Sequence, residues 1–288
     1  MAPQSMTGYA YDWRYFCTWC KEHQRVALPT SRDTITRFLT DHLRGGHKIS
    51  STRRRYHAIA FQHRRHGFED WGHEDALLLL QGAQRLRGEK PRHVTPLTIS
   101  QIRAMSEHLA GSSKRLAIRD RAILLMGFAA ALRSASLASI ALTDCEFVSE
   151  GLILTIPREK QDQEARGRYI GIPFGKHAET CTPSAVRAWI EMRGERCSGR
   201  LFLSRTHRGI AAKMIRVIVR RTLKQIGVNP RGYSAHSLRA GFITAAGEAG
   251  LSDLLIAEQT GHRDMDCLRG YLRRTNVFRA NACAALNL

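Results

Sequence analysis

The 288-residue sequence predicts a mainly α-helical protein with one small antiparallel three-stranded sheet. Three observations lead there. Apolar residues recur at three- and four-residue steps over most of the chain, the period of helices with one buried face. Residues 146–173 instead hold three short runs of β-forming residues. Finally, L-R-G-E-K-P-R-H-V-T-P-L-T, ending at Thr98, gathers a glycine, two prolines and several charges as interdomain linkers do.

Residues 1–87 form the first helical domain. Tyr9, Trp13, Phe16 and Cys20 line one apolar face. L-P-T-S-R-D offers a break and a cap before a second, short helix at Thr34–Leu39. G-G-H-K-I-S-S-T supplies a loop and a Ser/Thr cap for a third, in which Tyr56, Ile59, Ala60 and His63 face inward. Arg53, Arg54, Arg55, His57, Arg64 and Arg65 then cover much of its remaining surface. With no acid on that helix, a phosphate-facing role is expected.

After the linker at 88–98, a second domain spans 99–274. Ser100 is expected to cap its first helix, and R-D-R-A-I-L-L-M-G-F-A-A-A-L reads as a buried one. The strands are E-F-V-S, L-I-L-T-I-P and R-Y-I-G-I-P. A turn at Glu150-Gly151 joins the first two, and a polar hairpin loop carrying Lys160 joins the last two. Two further helices precede S-A-H-S-L-R-A-G-F, where Ser234 or Ser237 caps a helix that Gly250 ends. Ser252 caps L-L-I-A-E-Q-T, and Gly261 breaks it, leaving His262 just past a helix end. Residues 275–288 carry Phe278, Ala282 and Leu286 at four-residue steps, a small helix face.

Composition narrows the function. Lysine and arginine outnumber acids 45 to 25, a net charge of +20. Such a field attracts polyanions, nucleic acid first among them, because Lys and Arg contacts to phosphate dominate that binding. An anionic membrane is the weaker candidate, since the basic residues are not concentrated on one terminal amphipathic helix. No apolar run reaches the roughly 18 residues of a membrane span, and the N-terminus lacks the order of a secretory signal. Seven scattered cysteines favour a reducing cytosol over a disulfide framework. Cys17-x-x-Cys20 has no second half to complete a zinc site and reads as the apolar side of a helix. The chain carries no G-x-x-x-x-G-K-[ST] loop and no H-E-x-x-H or acidic metal cluster.

Six residues could carry chemistry. His236 and Arg239 share one face at a helix N-terminus, a place that favours anions. Arg133 follows the apolar helix directly and is costly to bury there without an anion. Lys160, His262 and Tyr271 complete the set. Singly, each has an ordinary structural reading: a cap, a core aromatic, a solvated lysine.

The order Arg133, Lys160 on a β-hairpin, His236-x-x-Arg239, Gly261-His262, then Tyr271 resembles the tyrosine recombinases, the group of phage integrases, Cre and chromosome-dimer resolvases. G-H-R-D-M-D-C-L-R-G-Y is the most specific element, followed by H-S-L-R-A-G-F and A-L-R-S-A-S-L. The resemblance covers residues 98–280 and, more loosely, the first domain, which is similar to the family's core-binding domain. It implies a catalytic domain at 99–274 that cuts and rejoins double-stranded DNA at a site of inverted repeats. Tyr271 would be the nucleophile, forming a 3′-phosphotyrosyl bond. His236 would assist its deprotonation, Lys160 would protonate the departing 5′ oxygen, and Arg133, Arg239 and His262 would hold the phosphate. It further implies a homo-tetramer on DNA exchanging its C-terminal helix between subunits, a Holliday junction, no small-molecule cofactor, no membrane, and a cytoplasmic, bacterial or phage-encoded setting. The absence of an arm-type domain before Met1–Gly8 leans toward a Cre-like recombinase needing few accessories. Many relatives have an acid three positions after the first arginine, where this chain has Ser136. That departure favours an alternative, an architectural or regulatory DNA-binding protein on a weakly active scaffold. Type IB topoisomerases use nearly the same residues and are the third reading, against which the N-terminal domain and the tail argue.

Overall fold

The computed structural model describes residues 3–69, 71–89, 94–157, 167–194, 199–262 and 264–272. The chain divides into two compact units, Met1–Arg92 and His93–Leu288. It is mainly helical with one small antiparallel sheet, as the hydrophobic periods require.

The first unit contains α1 (Pro3–Glu22), α2 (Arg32–Arg44), α3 (Ile49–Arg65) and α4 (His73–Arg87). Phe16, Trp19, Ile35, Phe38, Leu39, Tyr56, Ile59 and Leu80 make its core. Ser31 caps α2 by accepting the Thr34 N–H at 3.2 Å, which satisfies one of the donors a helix start leaves orphaned. The helix runs on to Arg44, well beyond the short segment expected. α3 begins earlier than its serines suggest, with Lys48 at the cap position and no side-chain cap, so the expected Ser/Thr cap is not made. Gly72, before α4, has φ +81°, and a Cβ there would lie 2.7 Å from Arg32 Cα; only glycine fits.

The basic face of α3 is divided. Arg53, Arg64 and Arg65 are exposed, but Arg55 is buried at 8% exposure. Its Nε lies 3.6 Å from Asp12 Oδ1, and its guanidinium sits 3.4 Å over the Tyr15 ring. Arg54 is exposed yet donates to both oxygens of Asp12, at 2.6 and 3.0 Å. Asp12 is fully buried, a carboxylate that needs such partners. The expectation that Arg55 belongs to the DNA-facing surface is therefore corrected. The acid that binds it lies on α1, out of sight of a reading of α3 alone.

The second unit opens with α5 (Ile99–Ala110) and α6 (Arg115–Ala129), then the short α7 (Ser134–Ser139). Thr98, not Ser100, caps α5. Its hydroxyl accepts the Gln101 N–H at 3.1 Å while Gln101 Oε1 accepts the Thr98 N–H at 3.0 Å, a complete capping box. Strands β1 (Cys145–Phe147), β2 (Gly151–Ile156) and β3 (Arg168–Pro173) form one antiparallel sheet in that order. Leu152 pairs with Ile172 and Leu154 with Ile170, so one face enters the core while Tyr169 stays on the other. α8 (Thr182–Arg193) and α9 (Ala212–Gln225) follow. Trp189 on α8 is buried and donates its indole N–H to the Leu201 carbonyl at 2.9 Å.

Three helices close the described chain: α10 (His236–Glu248), α11 (Asp253–Thr260) and α12 (Met265–Leu272). Ser234 and Ser237 both act at the start of α10, the first accepting the His236 N–H and the second the Ser234 N–H. α10 passes against the backbone before α5, where Leu97 N–H donates to the Ser237 carbonyl at 3.1 Å. A Cβ on Gly241 would lie 2.2 Å from the Leu97 carbonyl oxygen, so this approach requires glycine. Ser252 caps α11, and Gly261, at φ +66°, ends it.

Among the described residues no helix is long and apolar enough to cross a membrane, and no group of three or more His, Cys, Asp or Glu is placed to hold a metal. Cys17 and Cys20 lie on α1, with Cys20 buried and its thiol pushed up to about 12 by burial and by Cys17. A reactive thiolate pair would need the opposite shift.

Candidate active site

Arg239, one turn into α10, is only 1% exposed. Its guanidinium bridges two chain ends: Nη1 donates to the Ala131 carbonyl beyond α6 at 2.8 Å and to the Thr260 carbonyl ending α11 at 2.6 Å. A buried guanidinium needs such acceptors. The second terminal nitrogen, Nη2, is 3.0 Å from His262 Nε2.

Those contacts assign the His262 ring. Thr260 Oγ1 donates to the Ile256 carbonyl at 2.6 Å, so at 2.7 Å from His262 Nδ1 it serves as acceptor. Nδ1 therefore carries the proton and Nε2 accepts from Arg239, which can only donate. Burial first, then Arg239, Arg133, His236 and Arg168, lower the His262 pKa to about 4, so the ring is neutral near pH 7.

His236, the first residue of α10, places Nε2 2.7 Å from the Tyr271 hydroxyl. Its pKa is also lowered, by burial and then by Arg239 and Arg133. A neutral imidazole can accept the phenolic proton; an imidazolium cannot. Tyr271 lies on α12, half-buried, with its ring centroid 6.1 Å from that of His236 and 6.3 Å from that of His262. The cluster of Ile243, Ala246, Ile256, Ala257 and Leu268 packs α10, α11 and α12 together and sets these distances.

Arg133 is half-buried at the cap position of α7, and its charge acts on both histidines. Of the six residues singled out in the sequence, five thus gather in one place. Lys160 lies outside the described residues, as do 275–288 with Phe278, Ala282 and Leu286. Ser136 is half-buried on α7, and its carbonyl accepts from the Ser139 hydroxyl at 2.9 Å. One neighbour was missed. Arg168, the first residue of β3, also acts on His262 and donates to the Glu258 and Gln259 carbonyls at 3.2 and 2.8 Å. Nothing in its sequence context separates it from the chain's other arginines.

Paired arginines and histidines around an available hydroxyl suit attack on a phosphodiester. The guanidiniums supply fixed donors for non-bridging oxygens, and the imidazole beside Tyr271 supplies a proton acceptor. This fold with this site defines a tyrosine site-specific recombinase. Residues 95–276 match the model of the phage integrase family, and the chain belongs to that family. An integrase/recombinase XerD homolog of Selenomonas ruminantium is 28% identical over 291 residues, covering 98% of this chain and 84% of that relative. Tyrosine recombinase XerC of Corynebacterium glutamicum is 26% identical over 213 residues, covering 73% of this chain and 65% of that relative. Two solved structures share the fold. A lambda integrase dimer bound to a COC′ core site has a TM-score of 0.63 at 16% identity, covering 94% of this chain and 89% of that one. The XerH recombinase in a pre-cleavage complex with its difH substrate has a TM-score of 0.62 at 18% identity, covering 90% and 72%.

Proposed function

We propose that this recombinase cuts and rejoins double-stranded DNA through a 3′-phosphotyrosyl bond at Tyr271. The observation that carries the proposal is the 2.7 Å contact between His236 Nε2 and the Tyr271 hydroxyl. Tyr271 loses its proton to His236 as its oxygen attacks phosphorus. A free tyrosine, with a pKa near 10, needs that help near neutral pH. Arg133 and Arg239 pair with the non-bridging oxygens, where donors of this kind are each worth about 3–4 kcal/mol in the transition state. A phosphate oxygen that takes the Arg239 Nη2 donor also frees His262 Nε2 to carry a proton toward the DNA. The arriving negative charge favours that protonation. Lys160 gives a proton to the departing 5′ oxygen. The new bond keeps the energy of the phosphodiester, so the freed 5′ hydroxyl attacks it to rejoin without ATP.

Contact within one chain supports attack by each subunit's own tyrosine. Residues 99–274 are the catalytic domain. Residues 1–87 are the core-binding domain, meeting DNA through Arg53, Arg54, Arg64 and Arg65. Four copies on paired inverted repeats pass through a Holliday junction, joined by exchange of the segment 275–288. Leu251, Leu254 and Leu255, exposed at the start of α11, offer apolar surface for such a segment. The reaction takes place in the cytoplasm.

The test is a nicked duplex carrying a sequence selected by binding. Incubation and denaturation should trap a covalent complex that Tyr271→Phe abolishes; a complex that survives this change refutes the assignment. Ser136, which lacks the charge an acid would offer there, favours the second reading of a DNA-binding scaffold with little activity. Sequence-specific binding without any covalent complex would establish that reading instead.

A further inference from the structure

We infer that Arg168 is a positioning residue for His262, acting through the carbonyls that end α11. The inference rests on the reading that His262 faces the scissile phosphate.

α11 is eight residues long and has no basic residue in its last turn, where Glu258 adds a negative charge. Helix C-termini leave unsatisfied carbonyls and the negative end of the helix dipole, and both call for donors and cations. Here the donors are the turn's own N–H groups and two arginines from elsewhere in the fold. The Ala257 carbonyl receives the N–H groups of Gly261 at 2.7 Å and His262 at 3.1 Å. The Thr260 carbonyl receives Arg239. The Glu258 and Gln259 carbonyls receive Arg168 Nη1. Two guanidiniums, one from α10 and one from β3, thus close the turn that delivers His262.

The β3 anchor is itself fixed. Arg168 pairs with Ile156 in the last register position of the β2–β3 ladder, and Ile170 behind it is buried. Gly261, between the clamped turn and His262, is left-handed and could swing if the turn loosened. Arg239 and Thr260 hold the His262 ring directly, while Arg168 holds the backbone on which Thr260 and His262 stand. Lysine cannot reproduce the role, because its ammonium stands one bond nearer the backbone than Nη1, the nitrogen that makes both contacts.

The deciding measurement uses the full-length chain without DNA, with isotope-labelled histidine, followed by NMR across a pH series. Arg168→Met keeps most of the apolar stem and removes charge and donors. It should shift the His262 ring signals and move their titration up toward the ordinary value. His236, whose shift burial, Arg239 and Arg133 cause, should hold its titration. Arg168→Lys should restore the His262 titration in part while its ring signals stay displaced. On the nicked duplex, Arg168→Met should form covalent complex about 100-fold more slowly, the scale of a misplacement near 1 Å. Unchanged His262 signals and titration in Arg168→Met overturn the inference, whatever the cleavage rate. Equal shifts at His236 and His262 also overturn it, since they report general loosening. If Arg168→Met does not fold, Arg168→Lys decides by the same signals, which must move at His262 and not at His236. A displaced His262 in a protein whose wild type forms no covalent complex refutes the recombinase reading alone.

Discussion

Replacing Arg53, Arg64 and Arg65 together by alanine removes three exposed cations from α3. If each meets a phosphate, the binding of a short non-specific duplex loses three counterion-release contacts. The slope of log K against log[salt] then becomes shallower by about 0.9 per contact, about 2.7 in all. Between 50 and 200 mM salt this amounts to about a 40-fold smaller loss of affinity than in wild type. Fluorescence anisotropy with a labelled 20-base-pair duplex measures it directly and requires no knowledge of the recombination site. Arg55→Met is the contrast. Its guanidinium is buried beside Asp12 and Tyr15, so the salt slope should stay at the wild-type value. The first unit should instead lose the cation–π contact, about 0.5–2 kcal/mol, read as a lower denaturation midpoint. An unchanged slope in the triple variant would refute α3 as a phosphate-facing surface. A slope change in Arg55→Met matching one third of the triple would refute the assignment of Arg55 to the interior.

Three further outcomes are expected. Asp120 is fully buried between Arg119 and Arg221, so Asp120→Asn strands the buried Arg119 charge and should cost about 3–5 kcal/mol in a urea titration; a loss below 1 kcal/mol would contradict this. His262 and His42 both have folded pKa values near 4 against an ordinary 6.5. The unfolded chain therefore binds more protons between those values, and stability should fall as pH drops from 6.5 toward 4. Calorimetry at pH 7, 6 and 5 checks the sign, with His262→Gln giving a flatter profile than wild type. Gly241→Ala forces a methyl onto the Leu97 carbonyl and should lower stability by about 1–3 kcal/mol with m unchanged, as urea denaturation would show.

Much of this architecture is legible in the chain because it is periodic or punctuated. The alternation in L-I-L-T-I and R-Y-I-G-I gave the sheet its buried face, and Ser31, Ser252 and Gly261 act where their chemistry places them. At the start of α5 the outcome turned on a partner: Thr98 has Gln101 three residues on, and Ser100, the cap expected, has no such reciprocal group. The site residues were visible only as a set, since 35 residues separate His236 from Tyr271 and only folding brings their side chains to 2.7 Å. Arg55 and Arg168 were beyond reach for a shared reason. Each is defined by a partner on another element, Asp12 for one and the end of α11 for the other, and an arginine's own neighbours carry no trace of it.

The bond from Arg239 to the Ala131 carbonyl spans 108 residues, and Tyr271 comes later still. Neither the N-terminal nor the C-terminal half of the chain contains the whole of the proposed centre. A ribosome partway through the message, or a protease that has removed α12, leaves a basic protein without the hydroxyl proposed to open DNA. For a recombinase, this long loop in sequence is a safeguard. On the proposed mechanism, the group that cuts is made after the residues that hold it.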